Sequence, residues 1–290
     1  VILTLTSTGN GNCTAVSDQM KITFNPAPVV DAGSDETVCA NNNVVTLGGY
    51  VNNAGGGQWS NGLGLFTPNN NSLSATYSPS LTDLANGSVS LILTTTGNGS
   101  CLAMKDTMTI YYTTAPTANA GSDQASCTNN PNITLNGSVI IASGGQWTGG
   151  TGTFAPNAST LNATYVPSAA ELLTGSVDLT LTTVGNGNCL EVTDNMHLVI
   201  TQAPTVIAGP DITTCVDDLD VDLTGFVAGL TTTGIWTSSG SGYFTPTNLD
   251  LNATYHASAA DSAAGGVEIV LTSTNNTVCL AVSDTLNLNI

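Results

Sequence analysis

Hydrophobic and polar positions alternate with a period of two along much of the chain. Val89, Leu91 and Leu93 are followed at corresponding places by Val177, Leu179 and Leu181, and then by Val267, Ile269 and Leu271. Asp178 and Glu268 lie between them on the opposite face. Period two with one polar face predicts a half-buried β-strand. A second alternating run closes each block: Met108, Ile110 and Tyr112, then Met196, Leu198 and Ile200, then Leu286, Leu288 and Ile290. Helical periodicity is weak everywhere; the segments around 81–86 and 169–174 predict one turn each.

The recurrence of these runs is the larger signal. Cys13, Cys101, Cys189 and Cys279 form one series, and Cys39, Cys127 and Cys215 a second, with steps of 88 to 90 residues. Trp59, Trp147 and Trp236 keep the same step, as do Phe66, Phe154 and Phe244, Tyr77, Tyr165 and Tyr255, and the opening prolines Pro28, Pro116 and Pro204. The expected organisation is a truncated repeat at 1–26, carrying the C-terminal strands of a preceding unit, then full repeats at 27–114, 115–202 and 203–290. Each repeat reads as roughly seven short strands with one Trp near the third, which predicts a two-sheet β-sandwich. Such units placed end to end predict an extended rod of about 35–45 Å per repeat, from strand lengths at ~3.3 Å rise per residue plus turns.

Composition agrees. Of 290 residues, 8% are charged and 5% aromatic, and the polar share is carried by Thr, Ser, Asn and Gly. Thr favours strands, and Gly and Asn favour tight turns. The net charge of −18, with Lys21 and Lys105 the only cations besides two histidines, excludes nucleic acid as a partner and disfavours anionic lipid. No apolar run is long enough to span a membrane as a helix, so no membrane insertion of this segment is expected. Neither initiator Met, signal peptide nor sorting tail is visible, and the chain reads as a piece of a longer protein.

Seven cysteines at regular spacing indicate an oxidising compartment. Without a CxxC spacing, disulfides are expected rather than zinc. The expected pairs lie within repeats: Cys39 with Cys101, Cys127 with Cys189, and Cys215 with Cys279, leaving Cys13 to an upstream partner. A rival pairing joins neighbouring repeats, Cys39 with Cys189 and Cys127 with Cys279.

Other candidate chemistry is sparse. Asp31, Asp35 and Glu36 sit at an expected repeat junction, where carboxylates from two units would suit calcium; only Asp35 recurs, as Asp123 and Asp211. Calcium is the one candidate cofactor; otherwise none is expected. Asp217, Asp218, Asp220 and Asp222 form a separate acidic run, with Asp218, Asp220 and Asp222 expected on one exposed strand face. His197 and His256 occupy non-equivalent places with no nucleophile or orienting acid implied, so they read as surface residues and the chain as no enzyme. Gly150-Thr151-Gly152 reads as a hairpin turn. The three Trp residues read as core pegs. Ten Asn-x-Ser/Thr sequons are a by-product of an Asn- and Thr-rich chain.

The runs Asn119-Ala120-Gly121-Ser122-Asp123 and Cys127, then Tyr165-x-Pro167-Ser168, Gly175-Ser176-Val177, Gly185-Asn186-Gly187-x-Cys189 and Asp194, resemble PKD-like and immunoglobulin-like repeats. Among these they resemble the repeats of giant cell-surface adhesins of Bacteroidota, including gliding adhesins exported by the type IX system. The resemblance spans the whole chain. It implies an all-β, extracellular stalk or filament at the cell surface, partnered by neighbouring repeats of the same chain, by other filaments, or by a polysaccharide or surface ligand. It also implies O-glycans in the pattern Asp-Ser/Thr-apolar, at Thr107, Ser262 and Thr285. An array of carbohydrate-binding modules is the alternative, and would need an exposed aromatic recurring on one face.

Overall fold

The structure, a computed structural model, describes residues 1–290. Strands take up 45% of the chain and helices 6%, so it is all-β. Contacts divide it into two units: Val1–Ala115 with Asn188–Leu190, and Pro116–Gly187 with Glu191–Ile290.

The first unit begins with an antiparallel hairpin of Ile2–Thr6 and Ser17–Lys21. A β-sandwich follows. Its larger sheet has four strands in the order Glu36–Cys39, Lys105–Thr113, Ser88–Thr96, Gly56–Ser60. The first pair runs parallel and the others antiparallel. Facing it are a three-stranded sheet of Val45–Thr46, Thr76–Ser78 and Leu65–Thr67, and a pair formed by Val29–Asp31 with Tyr50–Asn52. Nine strands are present where roughly seven were expected. Several are only two or three residues long, too short to leave a periodic signal.

The alternating runs decide which side is inside. Val89, Leu91 and Leu93 from one long strand, and Met108 and Ile110 from its neighbour, point onto Trp59 and Tyr77. Intervening residues such as Thr107 face water. Fully burying each of these large side chains contributes roughly 1.5–3 kcal/mol. Trp59 is fully buried, so the recurring Trp is a core residue and not a platform.

The second unit contains two sandwiches of the same topology. Their four-stranded sheets run Gln124–Cys127, Thr193–Thr201, Ser176–Val184, Gly144–Thr148, and Ile212–Thr213, Ser283–Asn289, Gly266–Ser273, Gly234–Ser238. Separate cores form around Trp147 and Tyr165 and around Trp236 and Tyr255. A Cβ on Gly137 would lie 2.7 Å from Trp147 Cζ2 and 2.9 Å from the Leu161 carbonyl. Only glycine lets the indole reach that depth. The helical turns are Leu81–Ala85, Ala169–Thr174 and a third, unexpected one at Ala259–Ala264.

Candidate functional site

The cysteines pair in a pattern that overturns the expected intra-repeat scheme. Cys39 is bonded to Cys189 and Cys127 to Cys279, with Cα atoms 4.9 Å apart in both; Cys13, Cys101 and Cys215 are free thiols. Strand pairing gives the reason. Cys39 lies opposite Thr113, at the end of strand Lys105–Thr113, whereas Cys101 precedes the start of that strand. Nine residues at ~3.3 Å rise put the two at opposite ends, roughly 25 Å apart, and a disulfide needs Cα atoms within about 7 Å.

Each bridge sits in a small polar frame. In the second unit, Asn129 Nδ2 donates to the Leu280 carbonyl at 3.0 Å, and the Leu280 N–H donates to Asn129 Oδ1 at 3.1 Å. Cys279 Sγ lies 3.8 Å from the Gln202 carbonyl. In the first unit, Asn41 makes the same two bonds to Leu190, at 3.1 and 3.0 Å. Asn42 adds one to the Asn188 carbonyl, and Cys189 Sγ lies 3.8 Å from the Thr114 carbonyl. Asn carries both a donor and an acceptor, so one side chain satisfies an exposed peptide from both sides.

Of the three residues proposed for calcium, Asp31 and Asp35 accept backbone hydrogen bonds. Asp35 Oδ1 accepts from the Thr109 N–H, and Asp123 and Asp211 accept from the N–H groups of His197 and Asn287, each at 2.8 Å. The recurrence of this Asp therefore reflects docking of the strand that follows it, Glu36–Cys39 in the first repeat, on the last strand of the repeat. Asp31 Oδ1 accepts from Gly33 N–H, closing a turn, and Glu36 is exposed. No group of three or more His, Cys, Asp or Glu converges as a metal-ligand set. Asp106 and Asp284, the acids of two glycosylation patterns, accept from the N–H groups of buried Ala32 and Ala208. Thr107 and Thr285 are exposed on strands, while Ser262 lies half-buried in the last helical turn.

A buried carboxylate in each repeat escaped the sequence reading. Asp83, Glu171 and Asp261 are all but inaccessible, and each closes a capping box with Ser80, Ser168 or Ser258. The signal was legible as Ser-x-x-Asp/Glu. Tyr77, Tyr165 and Tyr255 donate their hydroxyls to these carboxylates at 2.7–2.9 Å. Burial alone would raise the Asp261 pKa, but hydrogen bonds from the N–H groups of Ser241 and Ser258 and from the Tyr255 and Ser258 hydroxyls outweigh it, bringing it down to about 2. Asp83 and Glu171 are lowered for the same reasons. Burial, reinforced by the adjacent carboxylate, pushes the Tyr77 and Tyr165 phenols up to about 12. Each cluster is an ionised carboxylate that accepts several hydrogen bonds and fixes a turn.

His256 departs from expectation. Strand register sets it opposite Asp220 and Tyr243. Its Nδ1 lies 2.6 Å from Asp220 Oδ1, its Nε2 2.7 Å from Thr245 Oγ1, and Tyr243 stacks on the ring at 4.6 Å. An acid and a hydroxyl do flank this histidine, in the order used for acyl transfer. Asp220 has 69% of its side chain exposed, however, so water screens the acid that would hold the imidazolium. His197 pairs with Asp178 alone among side chains, at 2.6 Å on an open face. In the acidic run, the strand spans only Asp220–Asp222 and Asp218 belongs to the preceding turn.

Comparison with known proteins gives likenesses of shape. A three-domain immunoglobulin fragment of titin aligns with a TM-score of 0.44 at 12% identity, covering 91% of this chain and 98% of that one. The eight N-terminal immunoglobulin domains of Down Syndrome Cell Adhesion Molecule give 0.42 at 14%, covering 100% of this chain and 46% of that one. Mouse cadherin-23 repeats 22–24 give 0.36 at 11%, covering 91% and 98%. All three TM-scores lie below 0.5, so the architecture rests on the strand pairing itself. No family model and no curated protein matches the sequence.

Proposed function

We propose that this chain is a structural segment, a stalk or filament, of a large extracellular surface adhesin, serving surface attachment or gliding. The observation that carries the reading is the bridge Cys127–Cys279 between successive repeats, framed by Asn129. Its effect is to tie one fold to the next and to limit how far the chain extends under tension. Disulfides belong to oxidising compartments, and no helix is long and apolar enough to cross a membrane. The exposed Thr107 and Thr285 suit the O-glycan pattern, which would shield a protein outside the cell. Recurring Trp side chains are fully inside, which removes the recurring sugar platform that an array of carbohydrate-binding modules needs.

The test is made on the organism that produces the chain. Antibodies raised against it should label intact cells, and deleting the encoded repeats should reduce attachment or gliding. Labelling only after lysis, or undiminished attachment, would refute the proposal. Glycan-array binding by the purified chain would favour the carbohydrate-binding alternative.

A further inference from the structure

We infer that Cys101 is the receiving half of a third inter-repeat disulfide, and that its partner is the Cys-x-Asn-Asn loop of another repeat of this kind. The inference goes beyond the stalk reading, because it concerns which loop the junction accepts and not what the protein attaches to.

Cys101, Cys189 and Cys279 are equivalent in position and in surroundings. The Sγ atoms lie 3.8 Å from the carbonyls of Pro26, Thr114 and Gln202, each two residues before an opening proline. Two of the three are bonded to the cysteine of a Cys-x-Asn-Asn loop, Cys39-Ala40-Asn41-Asn42 or Cys127-Thr128-Asn129-Asn130. At Cys101 an open cleft of about 420 Å³ lies beside the thiol, lined by Asn25, Pro26, Asn53, Gly97, Asn98 and Cys101 among others. Leu102, the counterpart of Leu190 and Leu280, is 87% exposed, and its peptide group bonds nothing in the protein. Thiol, carbonyl and unmet peptide are thus arranged as at the two filled junctions, and only the loop is lacking.

The chemistry also says which loop fits. The free loop of this chain is Cys215-Val216-Asp217-Asp218, with Asp217 where Asn41 and Asn129 stand. A carboxylate accepts but cannot donate, so it meets the Leu102 N–H yet sets a negative oxygen against its carbonyl. Cys215 of a second copy is therefore the wrong partner. Bond formation joins the two thiol sulfurs; two electrons and two protons pass to a small disulfide such as oxidised glutathione, which leaves as two thiols.

The test adds a copy of residues 27–88 ahead of Val1, joining Ser88 to Val1 as it joins Val89. After equilibration in glutathione buffer, non-reducing peptide mapping should link the copied Cys39 to Cys101, leaving only Cys13 and Cys215 titratable. A free Cys101 in a fused chain whose added Trp is buried by fluorescence, or a bond from Cys101 to Cys215 of a second molecule, would overturn the inference. A second measurement needs no added fold. On the unmodified chain, a Cys-Ala-Asn-Asn peptide activated as a mixed disulfide should be captured by Cys101 about tenfold faster than by the more exposed Cys13, as two docking hydrogen bonds allow. A peptide with Asp at the third position should lose that advantage; equal capture by both thiols would overturn the inference as well.

Discussion

Reduction should change how far the chain can be stretched once every domain is unfolded. In the oxidised form the shortest covalent path between the ends runs through residues 1–39, across to 189, back along the chain to 127, across to 279 and on to 290. That path holds about 110 residues of backbone, which at ~3.4 Å each spans roughly 380 Å, against roughly 1,000 Å for the reduced chain of 290 residues. Single-molecule stretching between terminal handles measures both contour lengths. Length alone does not separate this connectivity from intra-repeat pairing, whose shortest path is only about ten residues shorter by the same count. Single substitutions do. Cys39→Ala should lengthen the oxidised contour by roughly 90 Å, because the path then follows residues 1–127. Cys101→Ala and Cys215→Ala should leave it unchanged. If Cys101 were bonded to Cys39, its loss would release 62 further residues, or roughly 210 Å. A gain of that size on Cys101→Ala would refute the connectivity, and equal contours with and without reductant would refute the bridges altogether.

Three further outcomes follow. Removing the Cys127–Cys279 bridge by Cys127→Ala with Cys279→Ala should destabilise the third repeat by about 4–5 kcal/mol in urea unfolding read by Trp236, because 78 residues separate Cys279 from Thr201, which pairs with Cys127; an unchanged midpoint would count against a closed loop. The Asp261 carboxyl has a folded pKa of about 2, below its ordinary value of 3.8. Its contribution of about 2 kcal/mol is present above pH ~4 and lost as pH falls through ~2. Unfolding of the third repeat should therefore lose that much between pH 5 and pH 1, and Asp261→Asn should be destabilised at pH 5 but flatter across this window; parallel profiles would remove the carboxylate from the account. Trp147→Ala should cost about 3–5 kcal/mol as a large core truncation, and Gly137→Ala should destabilise the same repeat by driving a methyl into the indole, about 1–3 kcal/mol for overpacking; a Gly137→Ala variant as stable as the parent would show that Trp147 can shift.

Period and alternation, which depend only on local side-chain pattern, determined much of this protein. The recurrence of Trp, Tyr, Cys and Pro marked the repeat, and the alternation at 89–93, 177–181 and 267–271 identified the long strands and their inward faces. The segments at 81–86 and 169–174 were legible as turns, although the Ser-x-x-Asp/Glu boxes that cap them went unread. What the tertiary structure alone decided is who meets whom across the sheets. Cys39 and Cys101 share a repeat yet stand at opposite ends of the strand Lys105–Thr113, so spacing along the chain misled where parallel pairing of Glu36–Cys39 with that strand set the geometry. Asp31 and Asp35, with Glu36, suggested a ligand set because sequence shows a carboxylate without the backbone N–H that Asp31 and Asp35 accept from. His256 looked isolated because Asp220 lies 36 residues away in sequence and reaches it only through the register of two three-residue strands. Long-range pairing follows from strand order and register, and neither is written in any local window of residues.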